Sequence, residues 1–219
     1  MKNINRYIEH TILKADTTIQ DIDKIIEEGI QYQFAGICIP PFWVKKARRD
    51  IGKNNVQIVT VAGFPFGYNM TESKLAEIHK AIDDGADEVD IVWNLSAFRS
   101  GMNWAKVDIS KCAELLHDND KILKVIIETA YLSKDEIKTA CFLCKDAGAD
   151  FVKTSTGYAH EGALEENVKI MRSVLPSSVG IKAAGGIKSY ETAAIMINAG
   201  ADRLGTSSGV KILQEASSM

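Results

Sequence analysis

The chain has 219 residues, of which 46% are apolar and 25% charged, with a net charge of −3; this is the composition of a globular protein. It contains no run of about 18 apolar residues, no block of like charge and no apolar stretch at its start. A membrane span, a nucleic-acid surface and a secretory signal are therefore not expected, and with four cysteines read as reduced thiols the expected location is cytoplasmic.

In chain order, a short N-terminal helix is expected to lead into a first strand over 10–14. A helix over 18–30 follows, with Ile22, Ile25, Ile26 and Ile30 on one face. Two runs, 35–39 and 57–62, read as buried strands because they are dense in Val and Ile. Next comes a helix over 71–84, opened by Thr71 and carrying Leu75, Ile78, His79 and Ile82 on one face. A strand over 88–93, a helix over 104–117 and a strand over 123–128 continue the alternation. Ser133 and Glu136 form a capping box for a helix reaching Ala147. Cys141 and Cys144 lie inside that helix with no second Cys/His pair nearby, so they read as packed residues rather than a redox or zinc site. The pattern closes with strands over 151–154, 180–184 and 203–206, separated by helices over 162–174 and 189–198.

A repeat punctuates this series. Gly-Ala-Asp occurs at Gly85-Ala86-Asp87, Gly148-Ala149-Asp150 and Gly200-Ala201-Asp202, each time after a helical pattern and before an apolar run. Glycine suits the left-handed residue beyond a helix end, so each copy reads as a helix-to-strand joint. Eight strands alternating with helices predict an α/β fold, a single closed (β/α)8 TIM barrel spanning 1–219; an open doubly wound sheet is the alternative.

The unusual residues fall where such a barrel carries its chemistry, at the C-terminal ends of strands. Lys153 ends the sixth strand, Lys182 lies in the seventh, and Asp90 sits between Val89 and Ile91 in the fourth. Asp16 follows the first strand and Cys38 is near the end of the second. Lysine is seldom buried, and like-charge repulsion between two close lysines favours the free amine, which attacks carbonyls to form a Schiff base. Snorkelling of each head group to the rim is the plainer explanation for a single lysine; two lysines and an aspartate at the same rim favour carbonyl chemistry. Three Gly- or hydroxyl-rich turns follow the last three strands: Thr154-Ser155-Thr156-Gly157, Gly185-Gly186 and Thr206-Ser207-Ser208-Gly209. Glycine admits an anion to the backbone N–H groups, so a phosphorylated carbonyl compound is the expected ligand. His10 reads as a packed histidine, and no histidine–carboxylate set has metal-ligand spacing.

Taken in order, several segments resemble deoxyribose-phosphate aldolase, a class I aldolase family. They are His10-Thr-Ile-Leu-Lys-Ala-Asp16, Val59-Thr-Val-Ala-Gly-Phe-Pro-Phe-Gly67, Glu88-Val-Asp-Ile-Val-Trp-Asn94, Val125-Ile-Ile-Glu-Thr129, Phe151-Val-Lys-Thr-Ser-Thr-Gly157, Ile181-Lys-Ala-Ala-Gly-Gly186 and Gly205-Thr-Ser-Ser-Gly209. The resemblance implies cleavage of 2-deoxyribose 5-phosphate to acetaldehyde and glyceraldehyde 3-phosphate, with no metal or organic cofactor. It implies Lys153 as the Schiff-base nucleophile, Lys182 as the second lysine and Asp90 as the acid–base carboxylate. Asp16 would support Lys182 or the proton relay, and Cys38 and Thr156 would line the pocket. Gly157, Gly185, Gly186, Ser207 and Ser208 would hold the phosphate. A homo-oligomer, dimer or tetramer, is expected. Spacing alone does not choose between Lys153 and Lys182 as nucleophile. Another Schiff-base barrel lyase and a non-catalytic phosphosugar-binding barrel are the competing readings. Two positions depart from the pattern of some family members: Tyr158 stands where they carry a lysine, and the chain ends without their final tyrosine.

Overall fold

The computed structural model describes residues 3–218. Eight parallel strands close into a barrel in sequence order, the first pairing with both the second and the eighth. The strands are β1 (Ile8–Thr11), β2 (Gly36–Cys38), β3 (Gln57–Ala62), β4 (Glu88–Val92), β5 (Ile122–Ile126), β6 (Phe151–Lys153), β7 (Gly180–Ala184) and β8 (Arg203–Thr206). The surrounding helices are α1 (Ile19–Gln31), α2 (Val44–Ile51), α3 (Thr71–Asp83), α4 (Leu95–Arg99), α5 (Trp104–His117), α6 (Lys134–Asp146), α7 (Glu165–Val174), α8 (Tyr190–Asn198) and α9 (Gly209–Ser217). Closure satisfies the backbone groups that the edges of an open sheet would expose.

The expected N-terminal helix is a single 3₁₀ turn, Ile4–Tyr7. The first strand begins two residues earlier than expected and ends at Thr11; beyond it Ile12 donates one more bond to Cys38 O before the chain leaves the sheet. Three helices that periodicity does not single out, α2, α4 and α9, complete the ring. α2 buries only Val44, Ala47 and Ile51 over two turns, and α9 opens on a glycine, a poor helix former.

Strand residues alternate between two environments. Val89, Ile91, Leu123, Val125, Val152, Ile181 and Leu204 face the helices and belong to the main hydrophobic core. Inside the barrel the lining is divided. On β2 and β3, Cys38, Val59 and Val61 form a small apolar cluster; from β4 round to β1 the interior holds the buried charges of Glu88, Asp90, Lys124, Lys153, Lys182 and Glu9.

The Gly-Ala-Asp repeat has one structural job performed three times. Gly85, Gly148 and Gly200 all have left-handed φ, and the alanines are buried. Each aspartate then accepts a bond from the backbone N–H near the start of the preceding strand: Ile58 to Asp87, Leu123 to Asp150 and Ile181 to Asp202, each at 2.8 Å. Arg48, His117 and Arg172 pair with the same aspartates. A helix end, a strand start and a neighbouring strand are thus fixed together beneath β4, β6 and β8.

Candidate active site

Strand register brings the two lysines together. Lys153 of β6 pairs with Lys182 of β7, and Asp90 of β4 pairs with Lys124 of β5; paired positions in parallel strands project to the same side, here the barrel interior. One Asp90 oxygen, Oδ2, accepts bonds from Lys153 Nζ at 2.8 Å and Lys182 Nζ at 2.7 Å. Its other oxygen, Oδ1, accepts from Lys124 Nζ at 3.0 Å. Lys182 also bonds Glu9, and Lys124 also pairs with Glu88. Glu9, Glu88 and Asp90 thereby face Lys124, Lys153 and Lys182 with almost no solvent access, which is tolerable only because every charge has opposite partners.

The electrostatics follow from this balance. Burial alone would raise the carboxyl of Asp90, but Lys124, Lys153 and Lys182 together hold it well below the ordinary aspartate value. Burial pulls Lys182 down, yet Asp90 and Glu9 outweigh it and keep its ammonium above the ordinary lysine value. Lys124 is raised in the same way, burial being overcome by Asp90, Glu9 and Glu88. Ion pairing in the interior thus favours the anionic form of Asp90 and the cationic forms of Lys182 and Lys124.

Above this cluster a cavity of about 670 Å³ opens at the C-terminal end of the strands, and Lys153 is the member of the cluster that lines it. Thr156, Gly157, Gly185, Gly186 and Ser207 line it as well. Gly157, Gly185 and Gly186 all have left-handed φ; a Cβ on Gly185 would come within 2.9 Å of Gly162 Cα. Thr154 ties the ends of β6 and β7, its hydroxyl accepting from Ala184 N at 3.1 Å. Thr206 does the same for β7 and β8, donating to Ile187 O at 2.6 Å. Lys14, Lys24 and Lys188 line this cavity too.

Several expected positions are placed differently. Asp16 lies in an exposed turn, and Lys182 is held by Glu9 and Asp90 instead; Glu9 was hidden because the strand starts earlier than its propensity suggests. Cys38 does not line the cavity. It is fully buried beneath it, and burial, which dominates, raises its thiol above the ordinary cysteine value, so it is a poor nucleophile toward aldehydes. Ser208 also lies outside the lining and donates its N–H to Thr206 Oγ1 at 2.9 Å. Tyr158 reaches across the mouth: its hydroxyl donates to Leu13 O at 2.7 Å and its ring meets Phe64 edge-on. His10 is a packed histidine as expected, bonded to Glu28 at 2.7 Å. Glu88 and Lys124 were legible as polar residues alternating with Val89 and with Leu123 and Val125, but were not singled out.

A closed barrel with a lysine facing a cavity, backed by an ion-paired carboxylate and a second lysine, defines the class of protein that performs carbonyl chemistry through an amine. The comparisons agree with that class. A model of the DeoC/LacD family aldolase matches residues 5–215, and the chain belongs to this family. It is 48% identical over 217 residues to the deoxyribose-phosphate aldolase of Thermococcus gammatolerans, covering 98% of this chain and 96% of that one. Among solved structures it is similar to the aldolase QR15, at 39% identity and a TM-score of 0.94, with 100% of this chain and 97% of that one covered. It is also similar to the tetrameric deoxyribose phosphate aldolase of Aeropyrum pernix, at 30% identity and a TM-score of 0.90, covering 98% and 91%.

Proposed function

We propose that this aldolase reversibly cleaves 2-deoxy-D-ribose 5-phosphate to acetaldehyde and D-glyceraldehyde 3-phosphate, a step of deoxyribose phosphate catabolism, in the cytoplasm and as a homo-oligomer. The observation that carries the reading is the single Asp90 oxygen shared by Lys153 and Lys182 directly beneath the cavity.

Lys153, unprotonated, attacks the aldehyde carbon of the open-chain sugar; the carbinolamine loses water to give an iminium. A base removes the proton of the hydroxyl on the carbon β to the iminium. The carbon–carbon bond then breaks, its electron pair moves into the iminium to form an enamine, and glyceraldehyde 3-phosphate leaves. Protonation of the enamine carbon and hydrolysis release acetaldehyde and the lysine. The iminium is the electron sink, so no cofactor is invoked. Asp90 is the acid–base group of this scheme and takes and returns protons beside Lys153. Lys153 is assigned as the nucleophile because it lines the cavity, whereas Lys182, bonded to both Asp90 and Glu9, lies outside the lining. The phosphate sits against Gly157, Gly185, Gly186 and Ser207, where left-handed turns open backbone N–H groups to an anion. Its charge is met by Lys14, Lys24 and Lys188, which compensates for the tyrosine at position 158.

The test is borohydride trapping. Incubation with acetaldehyde or deoxyribose 5-phosphate, reduction and peptide mapping should place an adduct on Lys153 that is absent in Lys153→Leu. An adduct on Lys182 would reverse the two roles; no adduct on either, with phosphate sugars still bound, would leave a binding barrel.

A further inference from the structure

Glu128 has no part in the reaction as described, yet its setting is unusual. It follows β5 with φ 52°, in the left-handed region, a conformation that non-glycine residues adopt mainly where surrounding structure enforces it. Its side chain is buried. Oε2 accepts two bonds from one residue, Thr156: from the backbone N–H at 3.1 Å and from the hydroxyl. The hydroxyl of Thr156 accepts in turn from Tyr158 N at 3.0 Å. The chain neighbours of Glu128 are fixed to the same segment, Ile127 N to Lys153 O at 3.0 Å and Thr129 N to Thr154 O at 2.8 Å. The left-handed turn thus swings a carboxylate onto Thr156 at the point where the backbone ladder ends.

We infer that Glu128 is a positioning residue: it locks the turn from Thr156 to Tyr158 against Lys153 and so sets the distance between the amine and the anion-binding glycine Gly157. A second consequence concerns Thr156. Because its hydroxyl proton is donated to Glu128, Thr156 presents an acceptor, not a donor, to whatever occupies the cavity. This assignment rests on the aldolase reading of the site.

Among the described residues Oε2 receives donors, whereas Oε1 accepts none. An amide retaining one oxygen can therefore keep both bonds, and Glu128→Gln is the conservative variant. The experiment compares Glu128→Ala, Glu128→Gln, Thr156→Val and the double variant Glu128→Ala/Thr156→Val in steady-state cleavage of deoxyribose 5-phosphate, in borohydride trapping with acetaldehyde, and in thermal melting. Glu128→Ala should raise KM and lower kcat/KM by about tenfold or more, since displacement of a positioning element by an ångström carries penalties of that size. Acetaldehyde should still be trapped on Lys153, because that ligand has no phosphate to place. Glu128→Gln should remain within about threefold of the parent. Adding Glu128→Ala to Thr156→Val should cost less than Glu128→Ala costs the parent, because the hydroxyl bond is already gone and only the bond from the Thr156 backbone N–H remains to be lost. If Glu128→Ala does not fold, the Gln variant and Thr156→Val still decide: a folded Glu128→Gln with kcat/KM reduced tenfold overturns the inference, as does a Thr156→Val enzyme with unchanged KM. Parental kinetics in Glu128→Ala, or additive losses in the double variant, overturn it as well. Absence of any Lys153 adduct in the parent protein is the separate outcome that sinks the aldolase reading itself.

Discussion

Asp90 does two things with one side chain: through Oδ2 it holds the two lysines at the cavity floor, and through Oδ1 it holds Lys124 below them. Lys124, Lys182 and Glu9 are buried, so that their charges act on Asp90 with little water to screen them. The rim lysines are different. Lys188 is solvent-exposed and contributes to binding through a screened interaction with a phosphate dianion. Lys188→Gln should therefore raise KM for deoxyribose 5-phosphate by only about two- to fivefold, the size expected of an exposed charge pair, and flatten the dependence of KM on ionic strength. Unphosphorylated 2-deoxyribose is the control in the same assay. An equal change in KM for both sugars would show that Lys188 does not meet the phosphate.

At the scale of elements, the barrel is held in register by devices that repeat. The three Gly-Ala-Asp joints each combine a left-handed glycine, a buried alanine and an aspartate that caps the N–H of a neighbouring strand. The glycine is required twice over at the third copy: φ is +112° and a Cβ would lie 2.7 Å from Arg172 Cγ, while Arg172 itself donates to Leu175 O, Pro176 O and Val179 O. Gly200→Ala should thus destabilise the protein by about 1–3 kcal/mol, the usual range for enforced backbone strain. Gly101, with φ +66° and no neighbour within 4 Å among the described residues, separates the two effects, and Gly101→Ala should cost less. Urea unfolding of both variants checks this; equal losses would mean that contact with Arg172 is unimportant. A second element-level device is a buried pair, Lys74 of α3 with Asp108 of α5 at 2.5 Å, in which Lys74 also donates to Val92 O at 2.8 Å. It pins two helices to the end of the strand that carries Asp90.

For the whole molecule, the interior charge set makes stability depend on pH at both extremes. Asp90 is depressed in the folded state, so its contribution is present above its unfolded pKa of about 3.9 and is lost as pH falls toward the folded value. Lys182 and Lys124 are raised; their contribution is present below about pH 10.4 and is lost as pH rises through the folded values. The urea midpoint should be level between about pH 5 and 10 with respect to this cluster and fall on either side. Asp90→Asn should lower the plateau, by about 3–5 kcal/mol if its loss behaves like removal of one partner from a buried ion pair, and should shrink the acid limb. An acid limb of unchanged size in that variant would place its origin elsewhere.

Much of this was written in the sequence. Local patterns gave the strand–helix alternation because helix caps such as Ser133 with Glu136 and the glycine joints act within a few residues of themselves. Lys153, Lys182 and Asp90 stood out because charge between apolar strand neighbours has few inexpensive explanations. Glu9 did not, since its strand membership depends on pairing with β2 and β8 rather than on its own propensity. Glu128 looked like an ordinary residue at a strand end; its left-handed backbone and its hold on Thr156 exist only once β5 and β6 are adjacent. Asp16 is turned out to solvent, whereas Cys38 is sealed inside the barrel close to the charges of Lys182, Asp90 and Lys153 and off the cavity wall. Apolar positions, turns that need glycine and charges within strands are readable along the chain, because those are local properties. Which charges meet is not local: barrel closure and strand register bring together residues as far apart as Glu9 and Lys182.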